Sequence, residues 1–288
     1  MISRRSVVGL VLAAATSAPI NAASAQRTLK AIHKRIGGRL GVHVLDSQSG
    51  RRIGYNDGQR YAMASTFKLS LAAALLWQVS RGAFPLAHKL PVSREDVVSH
   101  SPVVEAALAS GTSDMSIQEL CAAAVVHSDN TAANILLKGI GGPQAFTQFM
   151  RTIGDEVTRL DRFETMLNSN LPGDERDTTT PRAMVDSMLK IFTQDVLTVP
   201  SRAMLIDWIG QSKTGLDRVR AGLPKSWQSG DKTGTSQNGA VNDLVLTYPP
   251  GRRPILIAVY MSESKLDTST LKAAHAEIGK LVGEEKWK

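Results

Sequence analysis

The sequence predicts a mixed α/β (α+β) fold in which both chain ends build one five-stranded antiparallel sheet, flanked by helices, with an all-helical lobe inserted between them. Strand-like patterns occur near the two ends of the chain, and helical periodicity dominates its middle. A chain of 288 residues with 42% hydrophobic content is also long enough to bury a substantial core.

Two strands are expected near the N-terminus and three near the C-terminus. Residues 40–45 alternate in polarity, residues 46–50 have turn chemistry, and residues 52–55 complete a hairpin. Short apolar runs form the other three strands: 227–233, 243–248 and 255–261. A helix at 268–282 has apolar residues at helical spacing and is suited to cover one face of the sheet.

The middle of the chain is predicted to be helical. The expected helices are 65–80, 116–126, 130–139, 143–152 and 181–193. Residues 168–179 are polar, contain Pro172 and Gly173, and have neither helical nor strand periodicity, which predicts a long structured loop. Arg162 and Asp177 could form an ion pair across the base of this loop. We therefore assign the α/β lobe to about 26–60 and 212–288 and the helical lobe to about 61–211.

The first 25 residues are typical of a cleaved signal peptide, leaving a single folded unit at 26–288. Arg4 and Arg5 precede a short apolar run, and Ala23 to Ala25 supply small residues for cleavage before Gln26. Because that run has about 9 residues and a membrane span needs roughly 20, no stable membrane insertion is expected after cleavage. The protein is expected to be periplasmic or secreted, and the sequence leaves both the general secretory and the twin-arginine routes open.

Charge and cysteine content exclude several function classes. Loss of Arg4 and Arg5 lowers the formal net charge from +8 to +6, and the remaining charges are scattered, so no nucleic-acid site is predicted. Cys121 is the only cysteine and lies in an apolar, helix-like segment, which indicates a buried thiol. The six histidines lack metal-binding spacing, so we expect neither a metal nor another cofactor, and we expect a monomer.

Four short motifs indicate chemistry, and their order along the chain matters more than any one alone. They are Ser65-Thr-Phe-Lys68, Ser128-Asp-Asn130, Glu164 with Asn168 in an ExxLN segment, and Lys232-Thr-Gly234. A serine and a lysine at this spacing are expected about once by chance in a chain this long. The other three motifs are much rarer, so the ordered set indicates an active site.

The first two motifs supply a nucleophile and proton carriers. Ser65 begins a predicted helix and Lys68 lies one turn on, so Ser65 is the candidate nucleophile and Lys68 a candidate base with its pKa lowered by burial. Ser128 lies in a turn between two helices, from which its hydroxyl could pass a proton to a leaving nitrogen. Asn130 would orient the substrate and Lys68, while Asp129 caps the following helix.

The fourth motif, Lys232-Thr-Gly234, lies on a predicted strand. Because successive side chains of a strand point to opposite faces, Lys232 and Gly234 are expected on one face and Thr233 and Thr235 on the other. The amides of Thr235 and Ser65 would form an oxyanion hole, and Gly234 leaves room for the substrate. We expect the substrate carboxylate to bind Lys232, Thr233, Thr235 and Arg220. Arg218 is close in sequence, and the choice between the two arginines depends on local geometry.

With these residues in this order, residues 26–288 resemble a class A serine β-lactamase over their whole length. The resemblance implies a β-lactamase/transpeptidase-like fold and hydrolysis of the β-lactam amide of penicillins and cephalosporins through a serine acyl-enzyme, giving antibiotic resistance. It implies that Glu164 activates the water that releases the acyl group and that Asn168 helps to hold this water. Whether Lys68 or Glu164 takes the proton of Ser65 is left open.

Two other functions share part of this motif set. A D-alanyl-D-alanine carboxypeptidase would have the three short motifs without the glutamate loop, and Glu164 argues against it. A β-lactam sensor that remains acylated would need a membrane helix or a regulatory domain, which the sequence does not indicate. His100 stands where the family commonly has an aromatic residue, so its contact with substrate is left open.

Overall fold

A computed structural model describes residues 22–285 and 287 of the chain. Most of the expected signal peptide therefore lies outside the described residues, while residues 22–25 begin the first helix. The helices are α1 (Ala22–Ile36), α2 (Phe67–Ser80), α3 (Pro102–Ala109), α4 (Ile117–Val126), α5 (Asn130–Ile140), α6 (Pro143–Thr152), α7 (Pro181–Thr193), α8 (Val199–Gly210), α9 (Val219–Gly222) and α10 (Thr268–Glu284). The strands are β1 (Arg39–Asp46), β2 (Arg52–Tyr55), β3 (Tyr61–Ala62), β4 (Lys89–Pro91), β5 (Asp114–Ser116), β6 (Thr178–Thr179), β7 (Gln228–Ser236), β8 (Ala240–Tyr248) and β9 (Ile255–Ser262).

The predicted fold class is confirmed. Strands from both chain ends form one antiparallel sheet in the order β2-β1-β9-β8-β7, so the N-terminal hairpin pairs with the last strand. Strand β7 lies at an edge, where one side of its backbone is not used by the sheet. This edge is the part of the sheet that reaches the candidate site.

The sheet separates two sets of buried side chains. Helices α1 and α10 pack on one face, where apolar residues such as Leu29, Ile257 and Ile278 form one cluster. The larger cluster includes Leu246 and Tyr260 of the sheet and most of the helical lobe. Cys121 is fully buried in α4, and burial raises the pKa of its thiol, as expected for a structural cysteine.

Most predicted elements occur close to their expected positions, but β8 begins earlier than expected. The pairing of Ser236 with Ala240 extends both β7 and β8 into a tight hairpin. Its turn contains Asn238 at φ 53° and Gly239 at φ 67°, two residue types that tolerate left-handed backbone. The turn therefore sets where the strands end, which the apolar runs alone do not reveal.

Helices α1, α3, α8 and α9 were not expected from the sequence. Signals for two of them were present: Leu29, Ile32 and Ile36 follow helical spacing in α1, and Thr198 caps α8 ahead of Pro200. Among residues 22–285 and 287, no helix is both long and apolar enough to cross a membrane.

The loop at 168–179 is anchored at its base by the predicted ion pair. Arg162 Nε lies 2.6 Å from Asp177 Oδ2, and Asp177 Oδ1 also accepts the backbone amides of Asp161 and Arg162. Asp177 is fully buried, so the pair and the two amides satisfy a carboxylate that water does not reach. This anchor holds the segment that carries Glu164 against the helical lobe.

Candidate active site

Ser65 lies where the helical lobe meets the edge of the sheet. It is the middle residue of a 3₁₀ turn, Ala64–Thr66, that leads directly into α2. Its neighbours in the turn are buried, whereas Ser65 is partly exposed to the cavity. Its hydroxyl Oγ lies 3.3 Å from Glu164 Oε1. The predicted nucleophile and the carboxylate from the loop segment are therefore in contact.

Lys68 is fully buried beneath Ser65, one helical turn along the chain. Its Nζ donates to Ser128 O at 2.8 Å and to Asn130 Oδ1 at 2.5 Å, and lies 3.1 Å from Glu164 Oε1. Burial lowers the pKa of Lys68, and the Glu164 carboxylate acts in the opposite direction. The three hydrogens of the ammonium thus match three oxygen acceptors.

Glu164 is held from both its backbone and its side chain. Asn134 Oδ1 accepts a hydrogen bond from the backbone amide of Glu164 at 2.9 Å, and Asn134 Nδ2 donates one to the Glu164 carbonyl at 2.8 Å. Asn168 Nδ2 donates a hydrogen bond to Glu164 Oε2 at 2.6 Å. The peptide bond between Glu164 and Thr165 is cis. Sequence reasoning missed Asn134, although its position four residues after Asn130 on α5 puts both on one helical face.

Ser128 and Lys232 connect the helical lobe to the sheet. Lys232 Nζ donates to Ser128 Oγ at 3.0 Å, and Ser128 occupies the turn between α4 and α5 at φ 59°. Burial, followed by the nearby charge of Lys68, lowers the pKa of Lys232 to about 7. Asp129 caps α5 through the amide of Ala132, as the sequence predicts.

Gly234 is required by a close approach between strand β7 and the turn that carries Ser65. A Cβ on Gly234 would lie 2.7 Å from Met63 O and 3.2 Å from Ser65 N. The expectation was that Gly234 leaves room for substrate, but the space that a side chain would take is filled by protein backbone. Lys232 and Gly234 point to the same face of β7, as alternation predicts.

The structure corrects the expected arginine. Arg220, which was assigned to the substrate carboxylate, instead forms an ion pair of 2.8 Å with buried Asp231 and does not line the cavity. Arg218 lines it, donating to Thr235 Oγ1 at 2.7 Å and to Gly234 O at 2.9 Å. Arg218 immediately precedes the helical turn α9, whereas Arg220 lies inside it, and their side chains bind different residues of β7, Thr235 and Asp231.

A cavity of about 590 Å³ contains most of these groups. Its lining includes the expected residues Ser65, Ser128, Asn130, Asn168, Thr233, Gly234 and Thr235. His100 is exposed at its edge, where its Nε2 lies 3.2 Å from His127 O. No cluster of three or more His, Cys, Asp or Glu that could hold a metal ion occurs in the described part of the chain.

In this site a serine hydroxyl contacts a carboxylate, and the same carboxylate pairs with a buried lysine. Such an arrangement beside an edge strand is that of serine enzymes that act through a covalent acyl intermediate. Comparison with known proteins identifies the family. The model of the β-lactamase enzyme family matches residues 24–285. The chain therefore belongs to the β-lactamase family, and it hydrolyses β-lactam antibiotics and so confers resistance.

Relatives and solved structures agree along nearly the whole chain. β-Lactamase AST-1 of Nocardia asteroides is 41% identical over 95% of this chain and 87% of its own. β-Lactamase L2 of Stenotrophomonas maltophilia is 41% identical over 93% and 88%. The structure of an ancestral class A β-lactamase superposes with a TM-score of 0.88 at 49% identity and covers 90% of this chain and 99% of that one.

Proposed function

We propose that Ser65 is the nucleophile of this β-lactamase and that Glu164 serves as the base in both halves of the reaction. The single observation that carries this proposal is the position of Glu164 Oε1, which lies 3.3 Å from Ser65 Oγ and 3.1 Å from Lys68 Nζ. One carboxylate oxygen therefore contacts the nucleophile and a buried cation at once. Lys68 would then remain charged and stabilise Glu164 rather than take the proton itself.

In acylation, Glu164 accepts the proton of Ser65 as Oγ forms a bond to the lactam carbonyl carbon. The amides of Ser65 and Thr235 would stabilise the oxyanion. The bond between the carbonyl carbon and the lactam nitrogen then breaks, and the nitrogen takes the proton of Ser128. The contact between Ser128 Oγ and Lys232 Nζ at 3.0 Å supports this role because the cation favours the alkoxide that remains.

Before deacylation, the proton that Glu164 took from Ser65 replaces the one that Ser128 gave to the lactam nitrogen, so Glu164 is a carboxylate and Ser128 a hydroxyl again. In deacylation, Glu164 removes a proton from a water molecule, and the resulting hydroxide attacks the ester carbonyl carbon. The bond between that carbon and Ser65 Oγ then breaks, and Oγ takes the proton from Glu164. Asn168 supports this step in two ways: its amide nitrogen orients Glu164 Oε2, and its buried Oδ1 has no hydrogen-bond partner among the described protein atoms. An unpaired buried acceptor beside the base is suited to hold the attacking water. Asn130 would orient both Lys68 and the amide of the substrate side chain.

The carboxylate of the substrate would bind where β7 and Arg218 converge. We propose Lys232, Thr233, Thr235 and Arg218 for this contact, with Arg218 in the place first given to Arg220. Arg218 already donates to Thr235 Oγ1, so its guanidinium reaches the hydroxyl that faces the cavity. A guanidinium and two hydroxyls are typical partners of a carboxylate.

The decisive experiment mixes residues 26–288 with excess benzylpenicillin and follows both ring opening and intact protein mass. The wild type should turn over with no lasting adduct, whereas Glu164→Ala should accumulate an adduct of one penicillin mass. Ser65→Ala, the matched control, should form none. A lasting adduct on the wild type would contradict the hydrolase mechanism and favour a carboxypeptidase-like or sensor protein.

We also propose export to the periplasm or the medium, with cleavage before Gln26, and a monomeric state. The N-terminal residues that support export lie mostly outside the described range, although Ala25 is buried at the start of α1. The two clusters of buried side chains support a division into an α/β lobe and a helical lobe. Mass determination of the mature protein tests the cleavage site, and sedimentation tests the monomer.

A further inference from the structure

The active-site cavity continues beyond the proposed carboxylate contacts into a second section. This section is formed by the loop between α8 and α9 and by the N-terminal part of α10, and its side chains are Lys213, Leu216, Asp217 and Lys272. None of these four residues has a part in the reaction described above. Arg218 and Thr214 of the same loop join this section to β7, because Arg218 donates to Thr235 Oγ1 and Thr214 Oγ1 accepts from Thr233 Oγ1.

The section combines an apolar surface with excess positive charge. Leu216 is 59% exposed, and it lines the cavity. Lys272 Nζ lies 2.9 Å from Asp217 Oδ2, so these two charges largely offset each other. Lys213 is exposed, and its ammonium has no hydrogen-bond or ion-pair partner within the described range of the chain.

The chemistry of the substrate indicates what could occupy this section. In a cephalosporin, the ring carbon that carries the carboxylate is bonded directly to C3, and C3 carries a variable substituent. A penicillin has no such substituent. With the carboxylate at Arg218 and Thr235, a group on the adjacent C3 would lie close to Arg218, which directly follows Leu216 and Asp217 in the cavity lining.

We propose that Lys213, Leu216, Asp217 and Lys272 form a subsite for the C3 substituent of cephalosporins. This C3 subsite favours a substituent with an apolar stem, which contacts Leu216, and an anionic end, which faces Lys213. The proposal rests on the function proposed for Ser65 and Arg218 and adds the substrate class that the same site prefers.

The test uses cephalosporins that share one acylamino group and differ only at C3. Three substituents are compared: an acidic thio-heterocycle, a neutral acetoxymethyl group and a quaternary ammonium methyl group. Because these groups differ in intrinsic reactivity, the measured quantity is the change in their relative kcat/KM values on substitution. An exposed ion pair of this kind is worth about two- to fivefold in binding.

Lys213→Gln should lower the ratio of kcat/KM for the acidic over the quaternary substrate about two- to fivefold, and added salt should shrink this effect. Lys30→Gln is the matched control, because it removes the same charge from an exposed lysine of α1 that does not line the cavity. An equal ratio in the wild type and Lys213→Gln, or an equal change in both variants, would overturn the preference for an anion.

Leu216→Ala tests the apolar contact with a second pair of substrates. It should lower kcat/KM for a cephalosporin with a long apolar C3 group relative to its C3-methyl analogue, by roughly three- to tenfold. An unchanged ratio would remove Leu216 from the subsite. Failure of the proposed function would be distinct, because the wild type would then turn over neither these cephalosporins nor benzylpenicillin.

Discussion

Lys68 Nζ lies 3.1 Å from Glu164 Oε1, and neither side chain has any exposed surface. The two residues are 96 positions apart in sequence, on α2 and on the segment after α6. Since an isolated buried charge is costly, the ion pair offsets part of the cost of burying both groups. The pair therefore links α2, the helix that follows Ser65, to the segment that carries Glu164, the proposed base.

Substitution of each partner should separate the two half-reactions. Lys68→Met should slow formation of the penicillin adduct by about 10²- to 10⁴-fold, because Glu164 loses the cation that organises it. Glu164→Gln should slow acylation and, in addition, leave the adduct unhydrolysed. Rapid-quench mass spectrometry measures both rates. Rapid adduct formation by Lys68→Met would show that acylation does not need the ammonium.

The alkaline limb of the pH profile should depend on Lys232. Its pKa is lowered to about 7 by burial, followed by the charge of Lys68, so Lys232 is cationic below this pH and loses its charge as pH rises. If the cation binds the substrate carboxylate, kcat/KM should fall as pH rises from about 7 to 9. Lys232→Arg should move this limb to higher pH. A flat wild-type profile up to pH 9 would contradict this role.

The two neighbouring arginines should have different effects on catalysis. Arg218→Gln should reduce the preference for benzylpenicillin over its methyl ester about 10- to 100-fold, because a charged hydrogen bond to the carboxylate is lost. Arg220→Gln leaves buried Asp231 unpaired, so it should lower the free energy of unfolding by about 3 kcal/mol without changing this preference. The opposite result would restore Arg220 as the carboxylate ligand.

A buried histidine should make the fold sensitive to acid. His43 Nδ1 lies 2.5 Å from Asp57 Oδ2, and Arg52 Nη1 lies 3.0 Å from its other ring nitrogen. Burial lowers the pKa of His43, so the unfolded chain takes up a proton near pH 6.5 that the folded protein resists. The contribution of neutral His43 to the free energy of unfolding is thus fully present above about pH 6.5. It is lost as pH falls below this value, by at most about 1.4 kcal/mol per pH unit.

Chemical unfolding between pH 7 and 5 tests this prediction. His43→Gln should have a smaller loss of stability over that range than the wild type. His275, buried with its pKa lowered to about 3 mainly by burial, should contribute in the same direction and gives an independent comparison. Equal pH dependence in the wild type and His43→Gln would contradict the assignment.

The loop at 168–179 is also tied to the β7–β8 hairpin. The side-chain amide of Asn238 donates to Asn170 O at 3.1 Å, and that of Asn170 donates to Gln237 O at 3.0 Å and to Asn238 O at 3.1 Å. Asn170→Ala should speed hydrogen exchange in the loop and slow deacylation more than acylation, because Glu164 precedes the loop. An equal effect on both steps would indicate only a general loss of stability. Asn56→Ala, which removes a distant bond to Leu40 O, is the control.

Many structural features of this protein can be predicted from local patterns in its sequence. One helical turn is enough to place Ser65 and Lys68 on the same helical face. The caps of α4 and α5 form between residues that are close in sequence. The terminal strands follow a short alternation of polar and apolar residues. Each of these depends on interactions within a few residues. The sequence by itself therefore determined the fold class and the order of the site motifs, and the family resemblance favoured the ion pair at the base of the loop.

Other features depend on contacts between residues distant in the chain. Arg218 rather than Arg220 lines the cavity because of where α9 begins. Asn134 binds Glu164 only because the loop docks against α5. Gly234 is needed because β7 closely approaches Ser65. Packing of whole elements sets these distances, and no local pattern encodes it. Only the tertiary structure could decide which neighbouring side chain enters the site.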